Sequence, residues 1–202
     1  MILAVSEKIV GVITTSDVIR PHAKDTVERL KSLGLEVGML TGDNRYVAGA
    51  IANELNITTV LSEVLPEDKS NEIKKIQAKG LTVGMVGDGI NDAPALAQSD
   101  LGIAVGSGTD VAIEASDITL MTNDLRAVAD AIELSNRTMA KVKQNLFWAF
   151  FYNCLGIPIA AGVLYPTFGI LLTPVYAALA MAFSSVSVVS NSLLLKKINF
   201  QK

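Results

Sequence analysis

The chain has 202 residues, half of them hydrophobic and 18% charged, with one Cys and one His. A disulfide scaffold is excluded because Cys154 has no second cysteine to pair with, and a nucleic-acid binder because residues 1–145 carry 14 Lys and Arg against 20 Asp and Glu. A freely soluble protein is excluded as well, since residues 146–195 contain no Asp, Glu, Lys, Arg or His, a stretch long enough for two bilayer crossings at about 20 residues each.

The opening Met1-Ile2-Leu3-Ala4-Val5 is too short for the apolar core of a signal peptide and reads as a strand, expected to form a hairpin with residues 9–14 through a turn at Ser6-Glu7-Lys8. Arg20-Pro21 then opens an amphipathic helix with Ala23, Val27, Leu30 and Leu33 at helical spacing and Gly34 as its stop. Further along, β-branched or apolar runs at 37–40, 59–61, 82–86, 102–105 and 118–121 alternate with helical runs at 44–55, 66–78, 92–97 and 110–115. This alternation predicts an α/β fold with a doubly wound, mainly parallel sheet. From Leu125 a helical pattern continues through Arg137, Lys141 and Lys143 into the apolar half. The expected segments are a head at 1–124, a connecting helix at 125–145, spans at 146–164 and 171–195 around an uncharged loop at 165–170, and a tail at 196–202. So short a loop forces a transmembrane helical hairpin. Cations flank both spans, which places the head and the C-terminus on the cytoplasmic side of the cell membrane.

Three strand-to-loop junctions carry the chemistry. Thr41-Gly42-Asp43-Asn44 ends one strand with a hydroxyl and a tight turn at a helix start, where amide donors and the helix dipole favour a phosphate. Lys69, at the start of another helix, suits neutralising a transferring phosphoryl group. Asp88 and Asp92, in Gly87-Asp88-Gly89-Ile90-Asn91-Asp92, follow a buried strand. Their hard oxygens suit Mg²⁺, which takes one or two carboxylates and leaves other positions to water and phosphate. Taken singly, a Thr-Gly-Asp is usually a helix cap and a lone Lys a solvated surface residue. The conjunction of all three at strand ends is what points to phosphoryl transfer. Within the spans, Tyr152, Asn153, Met181 and Ser185 are polar or soft groups at bilayer depth, where such groups tend to face a helix neighbour or a substrate path. A thioether suits Cu(I), whereas harder ions call for carboxylates, which both spans lack.

Thr41-Gly42-Asp43, Lys69 and Gly87-Asp88-Gly89-x-Asn91-Asp92, in that order, resemble the phosphorylation domain of the P-type ATPases, which has a haloacid-dehalogenase-like fold. The resemblance implies that Thr41, with the Gly42-Asp43 turn, and Lys69 contact an aspartyl-phosphate. It implies also that Asp88 and Asp92 serve Mg²⁺, and that Asn91 and Asp92 position the phosphate. Tyr152-Asn153 with Met181-x-x-Ser184-Ser185 resembles the copper(I)-exporting heavy-metal branch, which implies Cu⁺ as transported substrate and Tyr152, Asn153, Met181 and Ser185 as its ligands. Silver shares copper's softness. The pattern does not require Cys154, which reads as a packing residue. The family's nucleophile motif, Asp-Lys-Thr-Gly-Thr, does not occur in this sequence, and Asp17, which lacks those neighbours, reads as structural or helix-capping. The chain is thus expected to be the last quarter of an ATP-driven pump, its head incomplete, with the N-terminal part of the pump, the copper ion and the lipid bilayer as partners and ATP bound mainly outside it. Coupling between head and membrane is expected to travel through the long helix from Leu125. Two other readings stay open: a non-catalytic copper-binding subunit or split-pump partner, and a membrane-anchored phosphatase using Asp17.

Overall fold

The computed structural model describes residues 2–5, 8–12, 18–106, 110–169 and 173–197. Asp17 and the expected hairpin turn at Ser6-Glu7 lie outside the described residues. Strands β1 (Ile2–Val5) and β2 (Lys8–Val12) pair antiparallel with Val5 opposite Lys8. The other described pairings are parallel. They join β3 (Gly38–Leu40) to β4 (Thr59–Leu61), and β5 (Gly84–Gly87), β6 (Leu101–Val105) and β7 (Ile118–Leu120) in that spatial order. Parallel neighbours require a crossover, and helices lie in each one. Following α1 (Ala23–Ser32), α2 (Arg45–Glu54) connects β3 to β4. A 3-10 turn at Pro66–Asp68 leads into α3 (Lys69–Gln77) before β5. Then α4 (Ala93–Gln98) links β5 to β6, and α5 (Asp110–Glu114) lies between β6 and β7.

The packing of β3 shows why the fold is wound on both faces. Successive side chains on a strand point to opposite sides. Met39 joins a cluster built on Ala23 and Val27 of α1, Ala52 of α2, and Leu55 and Ile57. Its neighbour Leu40 joins a different cluster, built on Ile73 of α3, Met85 of β5, Ala95 and Leu96 of α4, and Ala112 of α5. One strand therefore touches two helix layers, and the second layer reaches both β3 and β5.

Helix ends follow local chemistry. Asn44 caps α2, its Oδ1 accepting from the N–H groups of Tyr46 and Val47 at 3.1 Å each. The same helix stops at Asn56, which takes a left-handed φ of 57° while Ile57 N–H reaches back to Ala52 O at 2.7 Å. At the start of α6 (Arg126–Ala160), Asp124 Oδ1 accepts from Arg126 N–H at 3.0 Å, and its carboxylate also meets the Arg126 guanidinium at 2.6 Å. Those hydrogen bonds hold the Asp124 carboxyl at a pKa of about 2, against an ordinary 3.8.

The chain divides into two compact units, Met1–Ala129 and Asp130–Lys202. The connecting helix and the first expected span are one helix, the 35-residue α6. That helix stops at Ala160 rather than continuing to residue 164. Gly162 adopts φ 87°, its N–H bonds to Ile159 O at 3.0 Å, and Val163 N–H reaches Pro158 O at 3.1 Å. This closure satisfies the last carbonyls and ends the helix. The apolar part of α6, residues 146–160, is then about 22 Å long at 1.5 Å per residue, short of a hydrocarbon core about 30 Å thick. Among the described residues one helical stretch, Ala178–Lys196, is long and apolar enough to cross a membrane. It lies in α8 (Pro174–Leu193) and the 3-10 turn that follows. The expected loop at 165–170 holds a short helix, α7 (Tyr165–Phe168).

Two outcomes are expected. Leu96 is 1% exposed in the second cluster, so Leu96→Ala should cost about 2–5 kcal/mol of stability, read by denaturant unfolding of the detergent-solubilised chain. Asp124 has a folded pKa below its unfolded value, so its contribution is complete above about pH 5 and is lost as pH falls toward about 2. The stability gap between the chain and Asp124→Asn should narrow over that window, and a gap independent of pH would contradict the cap.

Candidate functional site

The site is built at the carboxyl ends of two parallel strands, the usual position of ligand sites in wound α/β sheets. Strand β5 ends at the buried Gly87, and the chain then turns through a 3-10 segment, Ile90–Asp92, into α4. A Cβ at Gly87 would stand 2.7 Å from the Asp92 Cβ and 3.0 Å from its Oδ2. Only a residue without a side chain lets Asp92 lie against the strand end. From that position Asp92 Oδ1 accepts from Lys69 Nζ at 2.7 Å. The pair is largely covered, with 13% of the Lys69 side chain and 17% of the Asp92 side chain exposed. Lys69 reaches it from the first residue of α3, whose start is set by the Pro66–Asp68 turn.

Asp88, one residue past the strand, is paired differently. Arg20, just before the Pro21 that leads into α1, donates from Nη2 to Asp88 Oδ2. Each of the two neighbouring carboxylates is thus neutralised by its own cation, one from α3 and one from the segment before α1. Asn91 is exposed on the turn between them.

At the end of β3, Thr41 N–H donates to Leu61 O at 2.9 Å and Thr41 O accepts from Val64 N–H at 3.1 Å, so this turn is stitched to the one after β4. The Thr41 hydroxyl donates to Asp43 Oδ2 at 2.9 Å and accepts from Asp43 N–H at 3.1 Å. Helix capping falls to Asn44 alone, which leaves Thr41 and Asp43 engaged with each other. A Cβ at Gly42 would contact Val64 O at 3.4 Å, so the loop after β4 lies directly over the turn.

The expected membrane ligands lie in pairs on separate helices. On α6, Tyr152 stands 6.0 Å from Trp148, centroid to centroid, and Asn153 Nδ2 donates to Ala149 O of its own helix at 2.9 Å. On α8, Ser185 Oγ donates to Met181 O at 3.2 Å, and the Met181 side chain is exposed. Among the described residues no hydrogen bond or ring contact joins the two pairs. The polar link between α6 and α8 lies elsewhere. Lys141 Nζ donates to Asn191 Oδ1 at 2.8 Å, Asn191 Nδ2 to Asn145 Oδ1 at 2.7 Å, and Asn145 Nδ2 to Ser192 Oγ at 2.9 Å.

Sequence reasoning therefore grouped Lys69 with Asp92 by motif and left out Arg20, Asn145, Asn191 and Ser192. Arg20 was legible only as a residue before a helix-opening proline. The three polar residues were legible as amides and a hydroxyl near the ends of apolar runs. Among the described residues no group of three His, Cys, Asp or Glu side chains could hold a metal alone. A cation at Asp88 and Asp92 would need further oxygen ligands beyond these two carboxylates. The donor set fits Mg²⁺, which asks for one or two carboxylates, and both carboxylates already sit against positive charge.

Residues 2–100 match the haloacid dehalogenase-like hydrolase family. Over 196 residues, 97% of this chain and 24% of the relative, the sequence is 58% identical to a probable copper-exporting P-type ATPase of Archaeoglobus fulgidus. It is 56% identical over 195 residues, 96% of this chain and 26% of the relative, to a probable copper-transporting ATPase of Synechocystis sp.. The fold matches a zinc-transporting PIB-type ATPase, crystallised in its E2.Pi state, with a TM-score of 0.81 and 36% identity, across 96% of this chain and 31% of that one. The chain spans about a quarter of the length of these sequence relatives. The sequence and the fold thus match the heavy-metal P-type ATPases across nearly the whole of this chain, and residues 2–100 match the haloacid dehalogenase-like hydrolases.

Proposed function

We propose that this chain supplies the phosphate- and Mg²⁺-handling end of the phosphorylation domain, and part of the membrane metal site, of an ATP-driven copper(I) export pump. The observation that carries the reading is the covered Lys69–Asp92 pair at the end of β5, beside a second carboxylate, Asp88, that also faces a cation. A lysine side chain that is 13% exposed, with its ammonium paired to one carboxylate, is held in one place, which suits a group that meets developing phosphoryl charge.

In this reading Asp88 and Asp92 hold Mg²⁺, which, when bound, offsets charge on the transferring phosphoryl group. Lys69 keeps Asp92 oriented and presents its remaining N–H donors to the phosphoryl oxygens. Thr41 meets the phosphoryl oxygens from the stitched turn after β3 by rotating its hydroxyl proton away from Asp43, with Gly42 leaving the backbone open. Asn91 contributes an amide from the exposed turn. The aspartate that accepts the phosphoryl group, and most of the ATP contacts, belong to the N-terminal part of the pump. In the lipid bilayer, Tyr152, Asn153, Met181 and Ser185 take Cu⁺ as transported substrate, and Ag⁺ shares the softness that Met181 selects. The head and the C-terminus lie on the cytoplasmic side of a multi-pass arrangement, since Arg137, Lys141, Lys143 and Lys196 flank the apolar segments.

In a full-length pump carrying this stretch, Lys69→Ala and Asp88→Ala should each lower the acid-stable phosphoenzyme formed from ATP by about 10²–10³-fold in rate. Normal phosphorylation in either variant would refute the head assignment. Met181→Ala and Asn153→Ala should instead leave phosphorylation from inorganic phosphate intact and abolish copper-stimulated ATP hydrolysis. Unaltered stimulation by Cu⁺ would remove these residues from the metal site.

A further inference from the structure

The carboxylate assigned to Mg²⁺ already holds a cation of the chain's own. Arg20 and Asp88 are 68 positions apart in sequence and meet as a charge-assisted hydrogen bond. No motif that led to the phosphate site includes Arg20. The two ion pairs at this strand end differ in how firmly they are held. Lys69 and Asp92 are largely covered, whereas 46% of the Arg20 side chain and 44% of the Asp88 side chain remain exposed. A covered pair is costly to break, because either partner is then left uncompensated. An exposed pair is weak and exchanges readily with solvent and ions. The backbone at Arg20 is constrained, because a residue before proline is held extended. Exchange at Asp88 is thus a movement of the Arg20 side chain and needs no rearrangement of α1.

We propose that Arg20 is a positioning residue that stands in for the divalent cation. It holds the Asp88 carboxylate in the metal-free chain and gives way when Mg²⁺ arrives, so it sets the affinity of the site. The inference rests on the reading of Asp88 as a Mg²⁺ ligand. Its chemistry is a ligand exchange: the Arg20–Asp88 hydrogen bond breaks, an Asp88–cation contact forms, and the guanidinium, still protonated, returns to water. Asp92 takes no part in the exchange, because Lys69 keeps its hold on that side chain. The divalent cation therefore pays for displacing one weak pair rather than two.

The test uses the full 202-residue chain in detergent and Mn²⁺ alone, followed by electron paramagnetic resonance. Arg20→Gln should tighten Mn²⁺ binding about three- to tenfold, since it removes both a competitor and a like charge. Arg20→Lys, which keeps the charge and loses the fork, should fall between. Asp88→Asn should remove this binding in either background. If Asp88→Asn removes it while Arg20→Gln leaves it unchanged or weaker, the stand-in role is overturned and the Asp88 reading survives. Mn²⁺ binding indifferent to Asp88→Asn overturns the reading itself. A double-mutant cycle on unfolding supplies a measure independent of metal affinity. Arg20→Gln and Asp88→Asn should be coupled by about two- to fivefold in the unfolding equilibrium in the presence of chelator, and the coupling should vanish at saturating Mg²⁺. No coupling in the metal-free chain would overturn the proposal.

Discussion

The structure of the head turns on the cost of placing two carboxylates at the end of one strand. An aspartate drawn out of water must find a cation or surrender its charge. Asp92 is drawn in because Gly87 leaves room for it against the strand, and it is neutralised because α3 begins with Lys69 at the right height. That fixes three things together: a glycine at the strand end, a tight 3-10 turn to bring Asp92 back over it, and a helix start facing the turn. The clusters beneath, with Leu40 of β3, Met85 of β5 and Ile73 of α3 in one layer, hold those elements in a common frame. A charge arrangement at the surface of the sheet is thus sustained by apolar packing under it.

Much of this was legible in the sequence. The alternation of short strands and helices marked a parallel α/β fold, and the spacing of Gly87, Asp88, Asn91 and Asp92 marked the turn. Strand ends are set by local chemistry, so β3 and β4 fall where the apolar runs predict them, within a residue. The Arg20–Asp88 pair was not legible, because its partners are brought together by the order of strands and no local spacing encodes it. The competition for the cap of α2 was also undecided from sequence. Thr41, Asp43 and Asn44 all carry capping side chains, and only the backbone geometry, with Asn44 extended at φ −64° and ψ 154°, assigns the role. In the membrane half, hydropathy runs smoothly past Ala160, while the helix ends there, because Gly162 can take the left-handed conformation that closes it.

The membrane half obeys a different constraint. In hydrocarbon every polar group must be satisfied from within the protein. Asn153, Ser185 and Ser187 meet it by donating to backbone carbonyls one turn earlier on their own helices. The polar contacts between helices are gathered where Lys141 and Asn145 of α6 meet Asn191 and Ser192 of α8. The helices are thus joined by directional bonds at one level and carry self-satisfied polar groups at the level of the proposed metal ligands.

That division has a consequence for how a soft cation could be held and released. A side chain that back-bonds to its own helix gives up one weak hydrogen bond when it turns toward a metal, and the freed carbonyl keeps its backbone partner. The helix loses no ladder bond in the exchange. Met181 has no hydrogen bond to lose at its thioether, and Asn153 and Ser185 each give up one intrahelical bond, so most of the binding free energy would come from the soft ligand itself. The same reasoning favours release: ligands that regain their intrahelical bonds need no rearrangement of the backbone to let the ion go. The Arg20–Asp88 pair in the head has this character too, a weak internal partner in place of the ion. In the head, then, one proposed ligand, Asp88, has an exposed and exchangeable partner, while the other, Asp92, is kept in place by the covered pair with Lys69.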